Sequence, residues 1–269
     1  MIKSTGSWYK VRLDDATMVD ARVRGKLRTQ GIKNTNPVAV GDRVSIESDD
    51  ETSYAIHKVH ARRNYIIRKS TKLSKQTHII AANLDLAFVI TTLKEPKLKL
   101  GFVDRFLITA EAYNIEAHII FNKADLLNEE ELEYLTQLQK AYADVGYQSS
   151  VISVLENQGI EELKKLISGK KSLVSGHSGV GKSSLLNAIQ PGTDARVSSV
   201  SESTDKGQHT TTFAEMFEVA PDTFIIDTPG LKSFGLIDME PEELKDFLPE
   251  MVERSSECKF HNCLHVNEQ

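Results

Sequence analysis

The chain has 269 residues, of which 40% are hydrophobic and 26% charged, with a net charge of −5. That is the balance of a soluble protein of two or three domains. No apolar run approaches the ~20 residues of a membrane span, residues 1–6 lack the apolar core of a secretory signal, and two cysteines, Cys258 and Cys263, make no disulfide framework. A cytoplasmic, monomeric protein with no membrane partner is expected. The charge is unevenly spread: residues 1–75 hold sixteen Lys and Arg against eight Asp and Glu, a balance of +8 that leaves −13 for the remainder. A basic module joined to an acidic one predicts that the first touches a polyanion.

Residues 1–70 read as short strands and turns. Residues 8–13 and 21–27 alternate polar and apolar, the second with Arg22 and Arg24 on one face. Residues 38–44 read as strand, turn, strand, with Gly41-Asp42 at the turn. Residues 55–59 and 65–67 complete a set of five, which predicts a small antiparallel barrel of the OB type. Such folds bind nucleic acid through charge and stacking. Here the aromatics are few (Trp8, Tyr9, Tyr54, Tyr65), so the residues themselves support only a basic barrel.

Residues 71–82 read as a linker into a second domain, expected to span 71–236. The run 84–92 is almost wholly apolar, as a buried parallel strand should be. Helical spacing follows over 104–113, then a strand over 115–121 that ends in Asn122-Lys123-Ala124-Asp125. N-K-x-D at a strand end is a guanine-reading pattern. The Asp125 carboxylate can accept from guanine N1–H and the 2-amino group together; adenine offers neither donor and would leave a buried carboxylate unpaired. Asn122 can brace the loop, and the Lys123 stem can cover the ring. An acidic helix over 128–145 with Asn128 as N-cap, a strand at 151–152, Ser153 as a short base-backing element, and a helix over 160–167 continue the alternation. Strand–helix alternation predicts a parallel sheet with ligand at the strands' carboxyl ends.

Gly176-His177-Ser178-Gly179-Val180-Gly181-Lys182-Ser183, with Ser184 next, matches the phosphate-loop pattern G-x-x-x-x-G-K-[ST] between an apolar run and a helical period. Its backbone N–H groups and the following helix end favour a polyphosphate. Lys182 is expected on the β- and γ-phosphates and the Ser183 hydroxyl on Mg²⁺; His177 reads as exposed filler rather than a catalyst. Residues 191–208 are polar and Ser-rich, and in Gly207-Gln208-His209-Thr210-Thr211-Thr212 the favoured second Mg²⁺ ligand is Thr211. A strand over 223–226 ends in Asp227-Thr228-Pro229-Gly230, where Asp227 would hold Mg²⁺ through water and the Gly230 N–H would face the γ-phosphate. Leu231 follows, and leucine cannot orient a water, so hydrolysis needs another group; His209 is the candidate. The tail, 237–269, reads as a helical segment from Pro241 followed by Cys258, Cys263 and His265, three ligands of a Zn²⁺ site that needs four.

Ordinary GTPases place N-K-x-D last; here it precedes the phosphate loop, which is the order of a circular permutation. With the segment Gly207-Gln208-His209-Thr210-Thr211-Thr212, the chain resembles the ribosome small subunit-dependent GTPase A family over essentially its whole length. The resemblance implies a circularly permuted GTPase domain, an N-terminal OB fold contacting rRNA, GTP and GDP as ligands, and the small ribosomal subunit as partner and activator in its late maturation. In that family another cysteine follows the histidine, beyond Gln269. A second reading, in which nucleotide is only a conformational ligand of an RNA-binding assembly module, is open because of Leu231. A third, an ATPase, requires N-K-A-D to be accidental.

Overall fold

The computed structural model describes residues 1–24, 37–49, 53–69, 77–191, 214–227, 240–260 and 263. The N-terminal strands are β1 (Lys3–Ser4), β2 (Tyr9–Arg12), β3 (Met18–Val23), β4 (Val44–Ser48) and β5 (Tyr54–Val59). They lie in the order β1-β2-β3-β5-β4, with β3 and β5 parallel and the other pairs antiparallel. This is a five-stranded OB-type arrangement. The period of two decides what faces inward: Tyr9, Val11, Ala21 and Val23 are buried, while Lys10 and Arg22 are exposed. The Arg22 guanidinium stacks 3.6 Å from the centre of the Trp8 ring.

Two expectations for this region need correcting. Residues 38–44 are not strand–turn–strand: Val40 makes only an isolated bridge to Ala81, and the strand starts at Val44. The reason is the buried Asp42 carboxylate, which accepts from Arg62 Nε and Nη2 at 2.7 Å and from the Ala39 N–H at 2.8 Å, so the segment closes into a turn. The expected fifth barrel strand is also displaced. β6 (Tyr65–Lys69) leaves the barrel and pairs antiparallel with β7 (Thr77–Ala82), inside the stretch that reads as a linker. Gly41, at φ +90°, lets this hairpin close on the barrel, because a Cβ there would collide with the Ala82 carbonyl.

The second half alternates: β8 (Leu86–Thr91), α1 (Leu100–Ala112), β9 (Glu116–Phe121), α2 (Glu129–Asp144), β10 (Gln148–Val151), α3 (Ile160–Ile167), β11 (Lys171–Gly176), α4 (Lys182–Ile189), β12 (Glu215–Ala220) and β13 (Thr223–Asp227). All six residues of β8 are buried, as its apolar run requires. Asn128 caps α2 in a reciprocal box with Glu131. The strand order is β10-β9-β8-β11-β13-β12, parallel except for β12. Strands β8, β9 and β10 step outward to one edge, and the chain then returns to lay β11 on the other side of β8. Phe102, Val103, Phe106 and Leu107 of α1 pack on one face, and Leu163, Ile167, Leu185 and Ile189 on the other. The β1–β12 pair, with Lys3 opposite Glu215 and their side chains 2.7 Å apart, joins the two halves in one sheet. A 3₁₀ segment (Pro241–Phe247) and α5 (Pro249–Arg254) follow.

Candidate nucleotide site

The registers bring the ends of β8, β9, β10, β11 and β13 to one edge of the sheet: Gly176 pairs with Ile90, Thr91 and Val151 with Phe121, and Val174 with Asp227. In an open parallel sheet this edge is where ligands bind, and the order of strands changes direction there between β8 and β11.

The phosphate loop joins β11 to α4. Its conformation depends on two glycines. At Gly176 a Cβ would press into the Ile90 carbonyl; at Gly181, with φ +94°, it would strike the Asn122 amide. Val180 is buried, while Ser178 and Gly179 are exposed. Lys182 Nζ donates to the carbonyls of Gly176 and His177, both at 2.7 Å, and so lies across the mouth of the loop. Burial lowers the pKa of its ammonium, and the Asp227 carboxylate partly offsets this. Asp227 therefore lies within electrostatic reach of the loop. Ser183, half-buried at the start of α4, and Asp227 are hard oxygen donors of the kind Mg²⁺ takes. Ser184 is exposed.

The base-reading segment follows β9. Asn122, 4% exposed, bridges the two loops: Nδ2 donates to the Val180 carbonyl at 2.8 Å, and Oδ1 accepts from the Val154 N–H at 3.3 Å. Lys123 has a left-handed backbone, φ 66°, and Nζ donates to the Glu95 carbonyl at 2.6 Å. Its turn is fixed by the Ala124 N–H, which donates to the Ile152 carbonyl. Ser153, fully buried, donates its hydroxyl to Asp125 Oδ1 and accepts from the Glu156 N–H. One carboxylate oxygen is thus occupied, and the group is fixed as an acceptor. Asn122, Lys123, Asp125, Ser153 and the 176–183 loop are therefore assembled at one end of the sheet.

His177 is not the exposed residue expected. It is half-buried because its ring packs on Phe102 of α1, with centroids 4.1 Å apart and planes inclined by 38°. Burial, then Lys99, Lys182 and Arg105, depress its pKa and keep it neutral near neutral pH. Sequence reasoning also missed the connection between β8 and α1, which touches both loops; its one local signal is Pro96 in a charged run.

His209, Thr211, Gly230 and Leu231 lie outside the described residues, as does His265 of the zinc set. Cys258 and Cys263 are half-buried, with the Cys258 thiol 3.9 Å from the Arg254 carbonyl. Among the described residues no three His, Cys, Asp or Glu side chains are grouped as a metal site would need.

The geometry has close counterparts. The RsgA GTPase family model matches residues 59–237, and the RsgA N-terminal domain model matches 1–56. The small ribosomal subunit biogenesis GTPase RsgA of Flavobacterium johnsoniae is 51% identical over 269 residues, covering 99% of this chain and 83% of that protein. Its namesake in Christiangramia forsetii is 50% identical, covering 99% of this chain and 85% of that protein. Among solved structures, YjeQ from Thermotoga maritima superposes with a TM-score of 0.80 at 32% identity, covering 100% of this chain and 86% of that one. YloQ, described as a circularly permuted GTPase, gives 0.75 at 28% identity, covering 99% and 83%. A sheet that steps out through N-K-x-D before returning to the phosphate loop, with an OB-type barrel in front of it, identifies the chain as a member of the RsgA family of circularly permuted GTPases.

Proposed function

We propose that this chain hydrolyses GTP in the biogenesis of the small ribosomal subunit, and that the subunit, through its rRNA, is both its partner and its activator. The observation that carries the nucleotide part is the Asn122 bridge, which ties a base-reading loop to a phosphate loop through one buried side chain. The ribosomal part is supported by what the RsgA relatives are named for and by the +8 balance of residues 1–75.

In this reading Asp125, oriented by Ser153, accepts from guanine N1–H and the 2-amino group. Lys182 leaves its loop carbonyls for the β- and γ-phosphates, and the loop N–H groups of 176–183 surround them. Mg²⁺, held by Ser183 and Thr211 and, through water, by Asp227, would neutralise charge on the transferred phosphoryl group. Gly230 donates to the γ-phosphate, and His209 takes over the water-orienting task that Leu231 cannot perform. We further assign residues 1–70 to the rRNA-contacting OB domain, 71–236 to the GTPase domain, and 237–269 to a helical tail. In that tail Cys258, Cys263 and His265 supply part of a zinc site. The protein works as a monomer in the cytoplasm.

The test is GTP turnover titrated with purified small ribosomal subunits. Wild-type protein is expected to accelerate with added subunit, and Lys182→Ala to lose nucleotide-dependent turnover by on the order of 100-fold or more. Turnover indifferent to subunits would leave nucleotide as a mere conformational ligand.

A further inference from the structure

The connection from β8 into the first turn of α1, residues 92–102, starts at the same sheet edge. It is tied to both halves of the nucleotide site. Thr92 Oγ1 donates to the Pro96 carbonyl at 2.6 Å, which closes the turn. The Glu95 carbonyl takes the Lys123 ammonium, and Lys94 Nζ reaches Glu131 at 3.0 Å, so the turn is fixed to the base-reading side. On the other side Pro96 Cδ faces Gly179, where a Cβ would meet it at 3.7 Å, and Phe102 carries the His177 ring.

Outward, the same connection is cationic. Lys97, Lys99 and Arg105 are exposed, and none makes an ion pair among the described residues. Arg105 Nη1 folds back to within 3.5 Å of where a Gly101 Cβ would sit, so its guanidinium lies along the first turn of α1. Two acids lie in the same stretch, Glu95 and Asp104, the latter accepting from the Tyr142 hydroxyl at 2.8 Å; among the described residues neither pairs with these three cations. Lys99 and Arg105 already make themselves felt at His177 inside the phosphate loop. Three exposed cations against two acids, on the lip of a site that already contains Lys182, leave an excess of positive charge that a polyanion relieves.

We propose that Lys97, Lys99 and Arg105 form a docking surface for an RNA phosphodiester backbone, and that the 92–102 connection carries this contact to both nucleotide-binding loops. This deepens the ribosomal reading above and rests on it. The chemistry is phosphate recognition without base readout, by flexible ammonium groups and one guanidinium.

The test compares wild type with the double variant Lys97→Ala/Lys99→Ala in three measurements. These are basal GTP turnover, binding to purified small subunits and to their protein-free rRNA across a salt series, and subunit-stimulated turnover. The variant is expected to keep its basal kcat and KM. It should bind both subunits and bare rRNA about tenfold more weakly, lower the salt dependence by about two phosphate contacts, and lose stimulation in proportion. A raised KM for GTP without subunits would overturn the proposal, because the lysines would then serve the nucleotide. So would binding that weakens to subunits but not to bare rRNA, which would make a ribosomal protein the partner. A wild type that responds to subunits, with a variant that responds equally, overturns the surface alone; a wild type that neither binds nor responds overturns the ribosomal reading as well.

Discussion

The phosphate loop and the base-reading loop meet at Asn122, yet different forces hold them. The phosphate loop is held by close contact around its glycines: Gly176 against the Ile90 carbonyl and Gly181 against the Asn122 side-chain amide leave no room for a single added carbon. The base-reading loop is held by polar side chains: Ser153 on Asp125, Lys123 on the Glu95 carbonyl, Asn122 on Val180 and Val154. The difference suits the ligands. Phosphate is recognised by backbone N–H groups, so the main chain must come close, and only glycine permits that. A base edge is recognised by a directed carboxylate, so the side chain must be aimed, and a second side chain does the aiming.

The sharpest break of this contrast is on the base side. Asp125→Ala removes the charged acceptor that Ser153 aims there. The preference for GTP over ATP should fall by on the order of 10,000-fold, measured as the ratio of binding constants, while the fold stays intact. A variant that still prefers guanine would show that other groups, such as the Val154 backbone, do the reading.

On the phosphate side, Gly176→Ala is the corresponding break. Its methyl group would collide with the Ile90 carbonyl, which belongs to a central strand and cannot move aside. A loss of about 3 kcal/mol in urea unfolding is expected, with weakened binding of GTP and ATP alike. Unchanged stability would mean that the sheet yields and that backbone contact is not what shapes the loop.

These two predictions concern residues that local sequence already exposes. The phosphate loop, N-K-A-D and Asp227 are legible because each is a short string whose chemistry needs a fixed spacing, flanked by strand and helix patterns. The permuted order was legible for the same reason. What remained hidden depends on residues far apart in the chain. Phe102 and His177 are separated by three strands, β9, β10 and β11, and by helices α2 and α3 before they stack. Nothing local to His177 marks it as covered. Residues 77–82 follow a polar run and look like its continuation; they become a strand only because β6 offers an edge. Likewise 38–44 alternates like a strand, but the Asp42 carboxylate is claimed by Arg62, twenty residues on. The switch threonine, His209 and Gly230 belong to a segment outside the described residues, so their roles rest on sequence and kinship.

A smaller effect tests the aiming. Ser153→Ala deletes the hydroxyl that donates to Asp125 while leaving the carboxylate in place. Loss of one hydrogen bond to a charged group should cost about 1.5 kcal/mol of GTP affinity, roughly tenfold, and leave ATP affinity untouched. A parallel loss for ATP would show a collapse of the 153–158 turn instead, since Ser153 also accepts from Glu156.

The smallest effect separates the two sides by pH. His118 sits on β9, four residues before Asn122, with its Nε2 2.8 Å from Ser150 Oγ on β10 and its ring 5.7 Å from that of Phe88. Burial, with a lesser push from Lys170, lowers its pKa from 6.5 to about 4. The unfolded chain therefore binds the proton more readily than the folded one. Stability is complete above pH 6.5 and is lost as pH falls toward 4, the sign expected of a histidine buried neutral. Lys182 and His177 shift in the same downward direction, but each is more open to the solvent edge and faces a polyanion when nucleotide binds, which offsets the shift. The pH-sensitive strand pair is thus the one beneath the base loop. Between pH 6.5 and 5 wild type should lose on the order of 1 kcal/mol, allowing for screening, and His118→Gln should flatten that slope while preserving the contact to Ser150. If the slope survives the substitution, the acid sensitivity lies elsewhere, and the base loop is no more vulnerable than the phosphate loop beside it.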